Sequence, residues 1–173
     1  MDAPHLDSAR KLPLHALKFG GVAGLIGAAW STAEHLLGFY GSAAEIAAFA
    51  VPILAIVFGV QRWRDRVLGG VIGFSQAFGA ALAIGLAYAV VAGGLAWVQF
   101  AMWEPEVRES LVAFQADGMQ ARGATVEKIR EAEIELRRDL TPRTYAGGVL
   151  TFRLAVAFVV SLVTALFVRR SVR

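Results

Sequence analysis

Apolar positions in this chain run together instead of alternating. Four stretches, about residues 17–37, 43–60, 71–102 and 145–168, are almost free of charge, and short glycine, arginine or acidic clusters separate them. A helix needs about 20 predominantly apolar residues to cross ~30 Å of hydrocarbon, so the pattern predicts four membrane-spanning helices. The first ends at Gly38 and Gly41, which supply turn geometry. Ser42 and Glu45 have capping-box spacing at the start of the second. Pro52 lies inside that second helix and is expected to bend it, because proline removes a backbone donor and crowds the preceding turn. The third stretch is roughly ten residues longer than a bilayer requires and must tilt or project. Trp97 and Trp103 near its far end suit an interfacial aromatic belt.

Between the third and fourth stretches, residues 104–141 turn polar. Two amphipathic helices are predicted there, with the turn at Asp117-Gly118 or Arg122-Gly123. On the second, Val126, Ile129, Leu136 and Leu140 share a face that Glu133 interrupts. Thr141-Pro142 is a helix start, with threonine as cap and proline at the first helical position. The expected fold is therefore all-α: an integral membrane four-helix bundle in one domain, with a helical extramembrane hairpin between helices 3 and 4.

Composition agrees. Apolar residues make up 57% of the 173 and charged residues 18%, against about 45–50% and about 25% in ordinary globular chains. The absence of cysteine excludes disulfides, thiolate catalysis and cysteine-based metal sites. The amino-terminal segment is a poor signal peptide, since its apolar run leads into Glu34 and His35 and not a cleavage site. The net charge of +3 matters less than its distribution. Arg10, Lys11, Lys18, Arg62, Arg64, Arg66, Arg169, Arg170 and Arg173 all fall in segments that four spans place on one side. Residues 104–144 carry seven cations against nine carboxylates. Cytoplasmic segments retain Lys and Arg, so both termini are expected on the cytoplasmic face of a cell membrane.

The densest cluster, Val60 to Gly79, places Arg62, Trp63, Arg64, Asp65 and Arg66 ahead of Gly69 and Gly70. It lacks the Gly-Lys-Ser/Thr turn of a phosphate-gripping loop and the broad basic face of a nucleic-acid binder. It reads as a cytoplasmic loop that sets topology and touches anionic lipid headgroups. The longer stretch FGVQRWRDRVLGGVIGFSQAFG also carries a Gly-x-x-x-Trp-Arg-Asp, Gly-Gly, Phe-x-x-Ala-Phe pattern on Gly59, Trp63, Arg64, Asp65, Gly69, Gly70, Phe74, Ala77 and Phe78. On these residues the chain resembles domain of unknown function 4199, an uncharacterised family of bacterial membrane proteins. The likeness extends over nearly the whole chain, including the polar insertion before the last span. It implies four spans in a bacterial inner membrane and no known activity. It also implies more for Arg64-Asp65 than charge bias alone demands.

Ionisable groups inside a bilayer are costly and are functional candidates by default. Glu34 continues the stripe Gly20, Gly24, Gly27, Ser31, whose small residues allow close helix approach. Arg153 heads a second stripe, Ala157, Ser161 and Thr164. An ion pair between Glu34 and Arg153 is expected, with Gln99 and His35 at similar depth. Such a pair either fixes helix packing or binds a proton or ion, and two near-boundary charges can also reach water independently. No catalytic arrangement, cofactor motif or metal spacing emerges: His5, His15 and His35 are scattered, and Glu104, Glu106 and Glu109 read as a solvated helix start. The expected function is a non-enzymatic assembly or structural role in the lipid bilayer, with a second copy or a membrane-protein partner. The alternative is a small oligomeric ion-coupled transporter that uses Glu34, with Pro52 and the helix 3 glycines giving flexibility.

Overall fold

A computed structural model describes residues 3–37 and 42–169, without the side chains of 3–9, 35 and 42–48. The chain is helical along almost its entire described length: α1 (Ala3–Ala16), a π-helical segment (Leu17–Gly21), α2 (Val22–Leu37), α3 (Ser42–Val67), α4 (Phe74–Met102), α5 (Glu104–Ala121), α6 (Val126–Asp139) and α7 (Pro142–Val168). Among the described residues there is no β-strand. Three stretches are long and apolar enough to cross a membrane: Arg10–Glu34, Phe74–Met102 and Pro142–Val168. Residues 43–60, the remaining expected span, fall within α3. The Ser42–Glu45 capping pair at its start lies outside the described side chains.

Two helix boundaries depart from the sequence reading. Helix begins at Ala3, not near residue 17, and passes through Pro13 and the π segment without ending. Helix α3 continues to Val67 because Gln61 to Arg66 contains no breaker. It stops only where Gly69 and Gly70 adopt φ of +68° and +94°, a region that glycine enters at no steric cost. The Gly70 N–H folds back to the Arg64 carbonyl at 2.9 Å and Leu68 N–H to the Trp63 carbonyl at 3.3 Å, satisfying acceptors a helix end would orphan.

The chain divides into two compact units, residues 1–93 with 150–173, and residues 94–149. The interior of the first unit is made of small residues and a few branched ones. Ala77, Ala80, Ala81, Ala157, Ala165 and Ser161 are buried with Ile56, Val60, Ile72 and Ile84, while Leu25, Ile26, Phe58, Leu86, Phe158 and Phe167 face outward. Helices come close where there is no side chain. A Cβ added at Gly20 would lie 2.1 Å from the Ile84 carbonyl oxygen, one at Gly24 2.8 Å from Val91 Cβ, and one at Gly85 2.6 Å from Ala157 Cβ. The Gly20–Gly24 stripe thus seats the π segment and the start of α2 on α4. Close backbone approach through small residues is the packing expected of membrane helices, because lipid tails are as apolar as leucine.

The second unit holds the α5–α6 hairpin. Of the two turn positions open in the sequence, the chain reverses at Arg122-Gly123, where Gly123 has φ +76°. Gly123 N–H reaches the Gln120 carbonyl at 2.9 Å and Ala124 N–H the Met119 carbonyl at 3.1 Å. Thr125 caps α6, its hydroxyl facing the Lys128 N–H at 3.5 Å. Glu127 in the first turn and Arg137 and Arg138 in the last complement the helix dipole. No residue of α6 is buried. Ile129, Leu136 and Leu140 are half-buried as their shared face predicts, but Val126 is 83% exposed because it opens the helix beside the turn. Charge ties the hairpin: Arg137 forms a bidentate pair with Glu109, one arm at 2.8 Å. Arg108 pairs with Glu104 and donates to the Leu140 carbonyl at 3.0 Å.

Candidate functional site

The polar structure of the first unit concentrates where α3 ends. Its last two turns carry the arginine cluster, so Arg62, Trp63, Arg64, Asp65 and Arg66 are helical and not loop, and Gly69-Gly70 alone forms the turn. A helix sends alternate members of such a run to different faces, and here they separate by role. Trp63 is 4% exposed and its ring lies 5.0 Å from that of His15, which also contacts Phe19 at 4.7 Å. His15 Nε2 is 2.8 Å from the Gly59 carbonyl oxygen. Gly59 itself admits Ile84 and Phe19, whose atoms would lie 2.6 Å and 3.2 Å from an added Cβ.

Arg64 turns the opposite way. Its side chain is 13% exposed. Nε donates to Asp65 Oδ1 at 2.7 Å and Nη1 to the Val168 carbonyl at 3.4 Å. A cation at the last carbonyl of α7 meets both an orphan acceptor and the negative end of the helix dipole. Beyond the Gly-Gly turn, Gly73 N–H donates to Gln76 Oε1 at 3.3 Å, which closes the start of α4. Phe74 stacks on Phe78 at 6.1 Å, Phe78 meets Phe158 edge-on at 5.7 Å, and Ala77 between them is fully buried. Every residue of the sequence pattern from Gly59 to Phe78 therefore has a packing or bonding role.

Lys18, Arg62 and Arg66 stay exposed and line one cleft of about 570 Å³ with Phe19, Phe58, Gln61 and Asp65. The wall opposite α3 is the π-helical segment, a rare form that occurs mostly as single-turn bulges inside α-helices and is frequent at functional sites.

Deeper in the same unit, Glu34 and Arg153 do not pair. Glu34 Oε1 accepts from Trp30 Nε1 on its own helix at 2.6 Å. The Arg153 guanidinium lies over the Tyr88 ring, 5.2 Å from its centroid, and Nη1 is buried without a hydrogen bond. An added Cβ at Gly27 would be 3.9 Å from that nitrogen, so the small-residue stripe leaves room for it. Two aromatic neighbours, one turn away on α2 and across the unit on α4, thus supply the partners that charge alone would have found in each other. Below Arg153, Ala157, Ser161 and Thr164 point inward and are buried as their spacing predicts. Ser31 is half-buried, Gln99 belongs to the second unit, and the His35 side chain lies outside the described residues.

His15, Phe19 and Tyr88 were not singled out in the sequence. His15 and Phe19 are spaced for one helix face, a signal lost when the helix is started at residue 17. Among the described residues no three His, Asp or Glu side chains gather as a metal would require. No curated protein and no solved structure matches the chain. Residues 18–170 match the family described as Protein of unknown function (DUF4199), which takes in α2 to α7 and every residue of the Gly59–Phe78 pattern, and the chain belongs to that family.

Proposed function

We propose that this chain is a four-span, non-enzymatic membrane scaffold in a cell membrane. Both termini lie on the cytoplasmic face, and by span count the α5–α6 hairpin is displayed on the opposite face to a second copy or a membrane-protein partner. The observation that carries the reading is the distribution of side-chain size in the first unit, where Gly, Ala and Ser let helices approach around a few buried branched residues such as Ile56 and Ile84, while most of its Leu and Phe side chains face outward. Three basic segments also support it by meeting at one end: His15 and Lys18 beside the end of α3, and Arg64 at the end of α7. Glu34 is held by Trp30 of its own helix, which favours a scaffold over a carrier built on that carboxylate.

The chain has no cysteine, so single introduced cysteines report topology without background. In intact cells a membrane-impermeant maleimide is expected to label Glu131→Cys and not Arg66→Cys. Labelling of both defeats the four-span reading, and labelling of Arg66→Cys alone reverses the orientation. Loss of an ion-dependent flux in vesicles on Glu34→Gln, with the fold intact, would establish the carrier instead.

A further inference from the structure

We propose that the cleft between the π-helical segment and the last turns of α3 is a binding site for the headgroup of one anionic phospholipid. The inference rests on the reading of this unit as membrane-spanning. It replaces a diffuse basic surface with a built site, and four observations support it.

First, cations outnumber carboxylates in the cleft by three to one. Lys18 comes from the π segment and Arg62 and Arg66 from α3, while Asp65, which also lines the cleft, is paired with Arg64. None of the three cations has an ion-pair or hydrogen-bond partner among the described residues. Neighbouring cations without counter-charges repel one another, and a bound anion relieves that cost. Second, the order of side chains is that of a lipid. The cations lie at the end of the spans, and Phe58, 58% exposed and one helical turn further in, offers an apolar surface to an acyl chain. Third, the size fits. A volume of about 570 Å³ lies within the ~300–1,000 Å³ of small-molecule sites.

Fourth, the π segment is the only departure from α-helix within the Arg10–Glu34 span. It widens the helix at Lys18, while Gly20 and Gly21, buried behind it, keep contact with the unit. Arg64 is not part of the site, since Asp65 and the α7 carboxyl end neutralise it. The arginine cluster thus has two functions on two faces: Arg64 holds α7, and Arg62 and Arg66 hold the ligand.

The test is titration of the full-length protein in neutral detergent with short-chain phosphatidylglycerol, phosphatidylcholine or inorganic phosphate, read by native mass spectrometry and by melting temperature. Binding in detergent is independent of which face of a bilayer the cleft occupies, so a wrong topology and a wrong site give different failures. One phosphatidylglycerol is expected to bind saturably and raise the melting temperature, with neither phosphatidylcholine nor phosphate doing so. Lys18→Gln, Arg62→Gln and Arg66→Gln together are expected to weaken it on the order of a hundredfold, since each basic residue near a headgroup contributes about 1 kcal/mol. Arg122→Gln, Lys128→Gln and Arg130→Gln, the same charge loss on the hairpin, should leave it unchanged. If the triple cleft variant melts lower without lipid, the single Lys18→Gln variant carries the same comparison by bound-lipid count. Equal weakening by the two triple variants, non-saturating uptake, or capture of phosphatidylcholine as tightly would overturn the proposal. Saturable binding of phosphate alone would overturn the lipid in favour of a free-phosphate site.

Discussion

The two units of this chain are held by opposite means. In the first, the contacts that matter are between backbones: Gly20 against the Ile84 carbonyl, Gly85 against Ala157. Its charges, where they enter, are covered by rings and carbonyls, as Arg153 is by Tyr88 and Arg64 by Val168. In the second, α6 buries no residue fully, and turn geometry with the Glu109–Arg137 pair joins it to α5. On the proposed membrane reading, the difference follows from solvent. In hydrocarbon a large apolar side chain gains little by turning inward, so close approach and polar satisfaction decide the structure. The hairpin has the turn, cap and dipole devices of a soluble helix pair. Substitutions should therefore divide into two classes, large effects from volume in the first unit and small ones from charge or turn chemistry in the second.

The largest effect is expected at Trp63. Removing a buried indole that covers His15 leaves a cavity, and Trp63→Ala should cost about 3–5 kcal/mol, read as thermal unfolding in detergent by circular dichroism. Gly20→Ala follows at about 1–3 kcal/mol, because the new methyl meets a backbone carbonyl that cannot move aside. Gly79→Ala sharpens the point. Its added Cβ meets nothing within 4 Å, so only helix propensity changes, and a gain of up to about 1 kcal/mol is expected. Equal losses at Gly20 and Gly79 would show that glycine flexibility, and not proximity, is what the unit needs.

This comparison also explains how much was legible in sequence. Three helices long and apolar enough to span, the polar insertion and the small-residue stripe at Gly20 and Gly24 follow from composition and period, signals that extend over many residues. The partners of Glu34 and Arg153 do not. Charge complementarity nominates each for the other, yet Trp30 is one turn from Glu34, and Tyr88 reaches Arg153 from α4. Which ring faces which charge depends on helix rotation, and hydropathy does not encode it. The end of α3 is hidden in the sequence for a different reason: a run of arginines reads as a charged loop, although arginine is a good helix former. The helix stops at the first residue with a backbone reason to stop, Gly69.

In the hairpin the turn should be the most sensitive point. Gly123→Ala forces a side chain into the left-handed region, at a cost of about 1–2 kcal/mol. The result should be faster hydrogen exchange in α6 while Gly20-dependent unfolding of the first unit is unaffected. Comparable loss of protection in α2 would mean that the two units unfold as one.

The smallest effect is the one most specific to charge. The hydrogen bonds and charge of Arg137 hold the Glu109 carboxyl below its ordinary value of 4.5, and Glu109 in turn raises the Arg137 guanidinium, which stays protonated at every accessible pH. A depressed carboxyl contributes stability that is fully present above its unfolded value and is lost as pH falls through its folded one. The hairpin should therefore be indifferent to pH above about 5 and loosen below the ordinary carboxylate range. Spin labels at Gln115→Cys and Lys128→Cys should report one narrow distance at neutral pH that broadens only in acid. Glu109→Gln should give the broad distribution at every pH and remove the acid step, because no proton is then left to bind. A distance that stays narrow in acid would mean that the half-buried face of Ile129, Leu136 and Leu140 holds α6 without the ion pair, and that the second unit is closer in kind to the first than its exposed charges imply.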